Sequence, residues 1–350
     1  MRIYNNMDVF YIGAFPPPYG GVTIKNKNLF RALSERIDIR KLDLRDIKKN
    51  PLLVFRLLAI LINRSNSFII GIAGKNNRKA ISGILYWINR SSMNKSLLIV
   101  MGGTAAKNMA SDKVYAKYVR EYKKIYVETN GMMRELLNAG IKNVDIYPNG
   151  RFRNSSGLFS STIPRKEVEL EHNGFKCVYF SLVSPEKGID IVLDAAARLD
   201  NVWIDVFGEI DNSYKETFFN KIASLNNIEY KGVYSGPENE KYELLHGYDA
   251  MLFPTRWRAE GVPGIIIESK IAGIIPIVSM QNYNSELVQN NVDGIVLKEN
   301  TKDHLVDAIN KIKCNKDLLN KLKYNSHKSA EGFYIDNHLD KIIAALNETE

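Results

Sequence analysis

Ala250-Met-Leu-Phe-Pro-Thr-Arg-Trp-Arg-Ala-Glu-Gly-Val-Pro-Gly-Ile-Ile-Ile-Glu-Ser-Lys-Ile-Ala-Gly-Ile-Ile-Pro-Ile-Val-Ser279 reads as strand, loop, helix and strand. Short β-rich runs at Ala250–Phe253 and Ile275–Ser279 bracket a helical pattern at 264–272, the signature of a parallel sheet covered by helices. Pro263 suits the first helical turn, where its missing N–H costs nothing. The amides of Gly264, Ile265 and Ile266 then point out of the helix start and, with the helix dipole, offer a seat for a diphosphate. Gly261 and Gly264 leave room for a ligand to approach closely. Glu268, in the second turn, leans back toward that start and suits ribose hydroxyls. Glu260 flanks the anion on its other side, where it suits the hydroxyls of an attached sugar. The plainer alternative is an ordinary helix with a solvent-facing glutamate, and Ile265–Ile267 is even compatible with a strand.

The same alternation extends in both directions. Further strands are expected at 177–183, 203–207, 229–233 and 294–297, with helices at 189–199, 214–225, 241–246, 302–313 and 318–329. The first half repeats the pattern, with strands at 9–14, 38–42, 67–72, 96–101, 124–128 and 144–147. Helices at 22–33, 51–63, 78–90, 114–122 and 132–139 fill its gaps. Periodicity fades at 149–172, the expected linker. The reading is an α/β protein of two doubly wound, Rossmann-like domains, 1–160 and 161–335, with a helix in 336–350 crossing back to the first. Ligands in such folds bind beyond the carboxyl ends of the strands, so the site is expected in a central cleft between the domains.

Two further segments offer anion contacts. In Ser181-Leu-Val-Ser-Pro-Glu-Lys-Gly188, Lys187 stands at a strand-to-helix turn and can pair with phosphate oxygens. In Phe15-Pro-Pro-Pro-Tyr-Gly-Gly-Val-Thr23, Gly20 and Gly21 open a helix and present backbone amides, although a tight turn explains them as well. No G-x-G-x-x-G follows a strand and no P-loop motif occurs.

Composition narrows the chemistry. Two cysteines, Cys177 and Cys314, build neither a disulfide framework nor a cysteine zinc site. The histidines begin at His172, so the first half lacks any histidine-based triad, and no Asp-x-Asp occurs. Metal catalysis is not expected. The net charge of +9 is very uneven: residues 1–165 carry 28 Lys+Arg against 10 Asp+Glu, while 166–350 carry 20 against 29. Such asymmetry points the first half toward an anionic partner, a membrane surface or nucleic acid. Aromatic residues do not interleave with lysines in the single-strand pattern and no RNA-binding motif occurs, so nucleic acid is not expected.

The run from Pro51 to Ile62 is too short to span a bilayer. It is either a helix packed on the sheet or one lying in the headgroup region, with Lys48, Lys49, Arg56 and Arg64 around it. A second candidate at 81–88 is flanked by Arg78, Lys79 and Arg90. The seven apolar-patch residues at 9–15 are too few for a signal peptide, so a cytoplasmic protein, peripheral to the inner face of the membrane, is expected.

Pro18-Tyr-Gly-Gly-Val22, Pro148-Asn-Gly150, Pro185-Glu-Lys-Gly188 and the Glu-x7-Glu of Glu260 and Glu268 occur in the order seen in family-4 retaining glycosyltransferases of the GT-B fold, which the chain resembles over nearly its whole length. The resemblance implies transfer of a hexose from a nucleotide-diphosphate donor to a saccharide hydroxyl, with retention of configuration and without a cofactor or essential metal. Surface or capsular polysaccharide assembly is the setting it implies, with a lipid-linked acceptor on the basic first domain. It gives Lys187 the diphosphate, Glu268 the ribose, and Glu260 the sugar with the amides of Gly261, Val262, Gly264 and Ile265; Gly20 and Gly21 close over the phosphate. Two departures stand out. Leu182 occupies a position where relatives carry a phosphate-clamping arginine, a charge that Arg256 or Arg258 could supply. Met101-Gly-Gly-Thr104 replaces a histidine near the reacting sugar, so no general base is assigned. Alternatives are another GT-B nucleotide-sugar enzyme such as an epimerase, or a non-enzymatic membrane- or RNA-binding protein.

Overall fold

The computed structural model describes residues 8–17, 20–153 and 174–347. Pro18, Tyr19, most of the expected linker and the expected boundary at 160/161 lie outside them. The chain forms two compact units: Met1–Arg153 joined by Phe333–Glu350, and Asn154–Gly332.

Each unit is built on a six-stranded parallel sheet. The first contains β1 (Val9–Gly13), β2 (Ile39–Asp43), β3 (Ser67–Gly71), β4 (Leu97–Ile99), β5 (Lys124–Val127) and β6 (Val144–Ile146), in the order β2-β1-β3-β4-β5-β6. The second contains β7 (Phe175–Phe180), β8 (Val202–Phe207), β9 (Ile228–Gly232), β10 (Ala250–Phe253), β11 (Ile275–Ser279) and β12 (Ile295–Leu297), in the order β12-β11-β10-β7-β8-β9. Every strand expected from the sequence is present within a few residues of its expected limits. The central strands are continuous apolar runs because helices cover both faces. Cys177, Ile204, Leu252 and Ile277 thus share one buried core with Ile189, Val192 and Ile309 from the helices.

In each sheet the direction of strand addition reverses once, between β1 and β3 and between β7 and β10. Loops leaving the carboxyl ends of those neighbours diverge and open a crevice. At the first reversal Asn26, on the helix Gly21–Ser34, donates to the carbonyls of Ala14 (2.9 Å) and Gly71 (2.8 Å) and accepts from the Tyr11 hydroxyl (2.9 Å).

The sequence leaves one helix open between two packings, and two short helices are not expected from it. The helix Leu53–Ile62 does not pack into the core: only Leu61 of its ten residues is buried, while Phe55 is 71% exposed. Short helices at Leu44–Lys49 and Ala105–Ser111 fill segments expected to be irregular. The helix Asp336–Asn347 lies in the first unit, where Leu339, Ile342 and Leu346 join the core of Tyr11, Ile69 and Leu97.

Candidate active site

The second unit's reversal point gathers the expected donor-site residues on two loops from adjacent strands. After β7 the chain makes a 3-10 turn, Pro185–Lys187, begun by the Ser184 side chain, which accepts from the Lys187 amide, and ended by Gly188 at φ +81°. Tyr179, fully buried on β7, clamps the turn by donating to the carbonyls of Leu182 (2.7 Å) and Lys187 (3.3 Å). Burial holds its phenol well above the usual tyrosine range, so it stays a donor.

After β10 the loop 254–263 crosses beside that turn. Its backbone is tied down by Ser279, whose hydroxyl donates to the Thr255 carbonyl, and by Asn282, whose amide donates to the carbonyls of Trp257, Arg258 and Glu260. Pairing of β7 with β10 thus brings together residues 73 apart in sequence: the Lys187 ammonium forms an ion pair with Glu260, the two side chains 16% and 15% exposed. The same ammonium lies 5.5 Å from the Trp257 ring centroid.

The helix Gly264–Ile271 begins at its expected residue, with Pro263 as its extended N-cap (ψ 124°). The Ile266 amide, expected to be free, donates to the Pro263 carbonyl at 3.3 Å, which leaves Gly264 and Ile265 as the anion-facing amides. Glu268 is turned inward, its side chain 9% exposed, and meets Lys241 of the helix Glu238–His246 at 2.9 Å. Gly261 and Val262 bridge Glu260 and the cap, Val262 with its side chain buried.

The two candidate clamps separate. Arg256 donates to the Pro185 carbonyl (2.9 Å) and to Asp190 (2.5 Å), so it staples the two loops and its charge is already met. Arg258 is exposed and, among the described residues, is paired with no carboxylate. Leu182 is 39% exposed.

In the first unit Gly20 is the N-cap and Gly21 the first residue of the helix Gly21–Ser34. The Gly20 amide, expected to face an anion, instead donates to the Thr23 hydroxyl at 3.0 Å. Among the described residues a methyl group on Gly21 would meet nothing within 4 Å, so their packing does not demand a glycine there. Pro148-Asn-Gly150 follows β6, and a Cβ on Gly150 would lie 2.5 Å from Ile335, which is why the chain is bare at that point.

Sequence reasoning missed Lys241, Asp190 and Asn282, and in the first unit a buried ion pair between Lys25 and Glu128. Each acts across a long sequence separation. The one available signal was Glu268 itself, since a carboxylate that turns inward demands a cation from a neighbouring helix.

The fold is that of solved GT-B enzymes. HepE of Anabaena in complex with UDP is similar over 97% of this chain and 99% of its own, with a TM-score of 0.73 and 15% identity. Sucrose-phosphate synthase from Thermosynechococcus elongatus is similar over 97% of this chain and 98% of its own (TM-score 0.71, 12% identity). Two Rossmann-like units on six-stranded parallel sheets therefore make this a GT-B protein. Residues 161–329 match the model of the family described as glycosyl transferases group 1. An Escherichia coli UDP-Gal:alpha-D-GlcNAc-diphosphoundecaprenol alpha-1,3-galactosyltransferase is 26% identical over 211 residues, covering 57% of this chain and 52% of that protein. The chain thus spans about half the length of the curated relative it matches.

Proposed function

We propose that this protein transfers a hexose from a UDP-sugar to a hydroxyl of a lipid-diphosphate-linked saccharide, with retention of configuration, in surface polysaccharide synthesis. The observation that carries the reading is the Lys187–Glu260 pair at the β7/β10 reversal, on the loop that opens the helix Gly264–Ile271. Such a pair is a latch for a polar ligand. In the free protein each charge meets the other's desolvation; a bound diphosphate takes Lys187, and Glu260 is released to accept from sugar hydroxyls. The Gly264 and Ile265 amides face the diphosphate, and Glu268, held by Lys241 beside the helix start, is placed to take ribose hydroxyls.

In the transfer, the bond from the anomeric carbon to the diphosphate oxygen breaks and one to the acceptor oxygen forms on the same face. The acceptor's proton passes to the departing phosphate oxygen. Lys187, Arg258 and the helix start meet the charge that develops there, so the reading needs no metal. In the first unit, the open space at Gly21 among the described residues supports a ligand-dictated glycine.

UDP added at about 100 times its Kd should stabilise the protein by about 2.7 kcal/mol, read as a rise of several degrees in Tm, with GDP and dTDP giving less. The rise should shrink on Arg258→Ala. A protein indifferent to all three nucleotides removes the reading.

The membrane part rests on the first unit. Leu52 and Phe55 beside the helix start, with Trp87 on the helix Lys75–Ile88, are each 71% exposed, and Arg56 and Arg64 are exposed near them in sequence. Apolar side chains beside cations suit an anionic bilayer surface on the cytoplasmic side. Cosedimentation with phosphatidylglycerol vesicles should fall at least tenfold on Phe55→Ser with Trp87→Ser; unchanged sedimentation rejects this placement.

A further inference from the structure

We propose that Lys25 and Glu128 form a hydroxyl-accepting subsite in the first unit that positions the acceptor saccharide. This rests on the sugar-transfer reading above and assigns residues to a step which that reading leaves without any.

Glu128 is the first residue beyond β5, and Lys25 lies in the second turn of the helix Gly21–Ser34. They meet across 103 residues as an ion pair whose side chains are 10% and 3% exposed, Lys25 named first. Lys25 binds one carboxylate oxygen, Oε1. The other, Oε2, is buried and has no hydrogen-bond partner among the described residues. A buried carboxylate oxygen is ordinarily satisfied, so a bare one marks a place where a donor is missing.

The pair lines a small recess with Met101, Tyr147, Asn149 and Gly150. Met101 follows β4, Glu128 follows β5 and Tyr147 follows β6, so the recess lies beyond the carboxyl ends of three adjacent strands, where ligands of such sheets bind. Asn149 is itself fixed, its Oδ1 accepting from Arg151 at 2.8 Å. The Pro148-Asn-Gly150 turn, conspicuous in the sequence, therefore forms one wall.

The charge balance selects the ligand. Lys25 already neutralises Glu128, so the recess offers a neutral pair with one open acceptor. A phosphate would meet that bare oxygen and be repelled, whereas a hydroxyl donates to it and breaks no existing bond. The recess is too small for a whole ring, so it takes a single hydroxyl at the edge of a sugar. Glu128 touches the acceptor directly; Lys25 is a positioning residue that fixes the carboxylate by binding Oε1.

Glu128→Gln and Lys25→Met test this with UDP-galactose as donor and α-N-acetylglucosaminyl diphosphate on a decyl chain as acceptor. The acceptor KM should rise about tenfold or more in both variants with kcat changed far less, because a lost hydrogen bond to a substrate hydroxyl acts on acceptor binding. UDP affinity, read by thermal shift, should stay at the wild-type value. If this acceptor is not turned over, saturation-transfer NMR with methyl α-N-acetylglucosaminide gives the same comparison, with signal in the wild type and loss in Glu128→Gln. Unchanged acceptor KM or unchanged NMR signal overturns the subsite, as does a fall in UDP affinity parallel to that of the acceptor. Failure of the wild type to bind UDP would instead count against the sugar-transfer reading, so the two failures are distinct.

Discussion

Lys187→Ala is expected to lower kcat/KM for sugar transfer by about 10²–10³-fold, the scale of losing one aimed charge at a developing anion. It should also destabilise the protein, because Glu260 is left 15% exposed without its cation. Breaking a fully buried pair costs about 3–5 kcal/mol; with both side chains partly reached by solvent we expect about 2 kcal/mol. Glu260→Ala should cost less stability, since a longer flexible ammonium more easily finds water. The double variant separates the two effects. With both charges gone nothing remains unpaired, so Tm should recover most of the loss, while activity should stay at or below the level of the worse single variant. If the double variant recovers neither quantity, the pair is a fold determinant and not a donor latch. Retention of more than about a third of wild-type kcat/KM by Lys187→Ala would remove Lys187 from the chemistry.

The second large effect is at Gly188. Its φ of +81° disfavours any side chain, and a Cβ there would lie 2.0 Å from the Pro254 carbonyl oxygen, which is backbone and unable to swing away. The left-handed backbone costs about 1–2 kcal/mol and the clash about 1–3 more. Gly188→Ala should therefore destabilise by about 3 kcal/mol, read as a Tm fall of about 10 °C. Relief of the clash would push the Lys187 turn away from the loop that carries Glu260, so nucleotide affinity should fall with stability. Gly232 is the control: its φ is +79°, but a Cβ there meets nothing within 4 Å, so Gly232→Ala carries the backbone penalty alone. Equal Tm losses for the two variants would show that Pro254 does not press on the turn.

The strands were the most legible part of the sequence because parallel sheets buried on both faces need short apolar runs, and β10 and β11 have their expected limits to the residue. Some short helices were not legible. Ala105–Ser111 is too brief for an apolar stripe to repeat, and it forms because its neighbours bury Ala106 and Met109. In the site, backbone-directed features were readable: the helix start after Pro263 and the turn at Gly188 follow from residue types alone. Pairings were not. Glu128 read as the last residue of a strand and Lys25 as an ordinary helix cation; only the sheet order brings them together. Arg256 shows the opposite error, a cation beside a candidate anion site whose charge the fold directs to Asp190.

The return of the helix Asp336–Asn347 to the first unit has a consequence for biosynthesis. Leu339, Ile342 and Leu346 complete a core whose other walls, Tyr11 and Ile69, leave the ribosome some three hundred residues earlier. The first unit to be translated is thus the last to close. Until then its core lacks the cover that this helix supplies, and the second unit has the interval in which to fold.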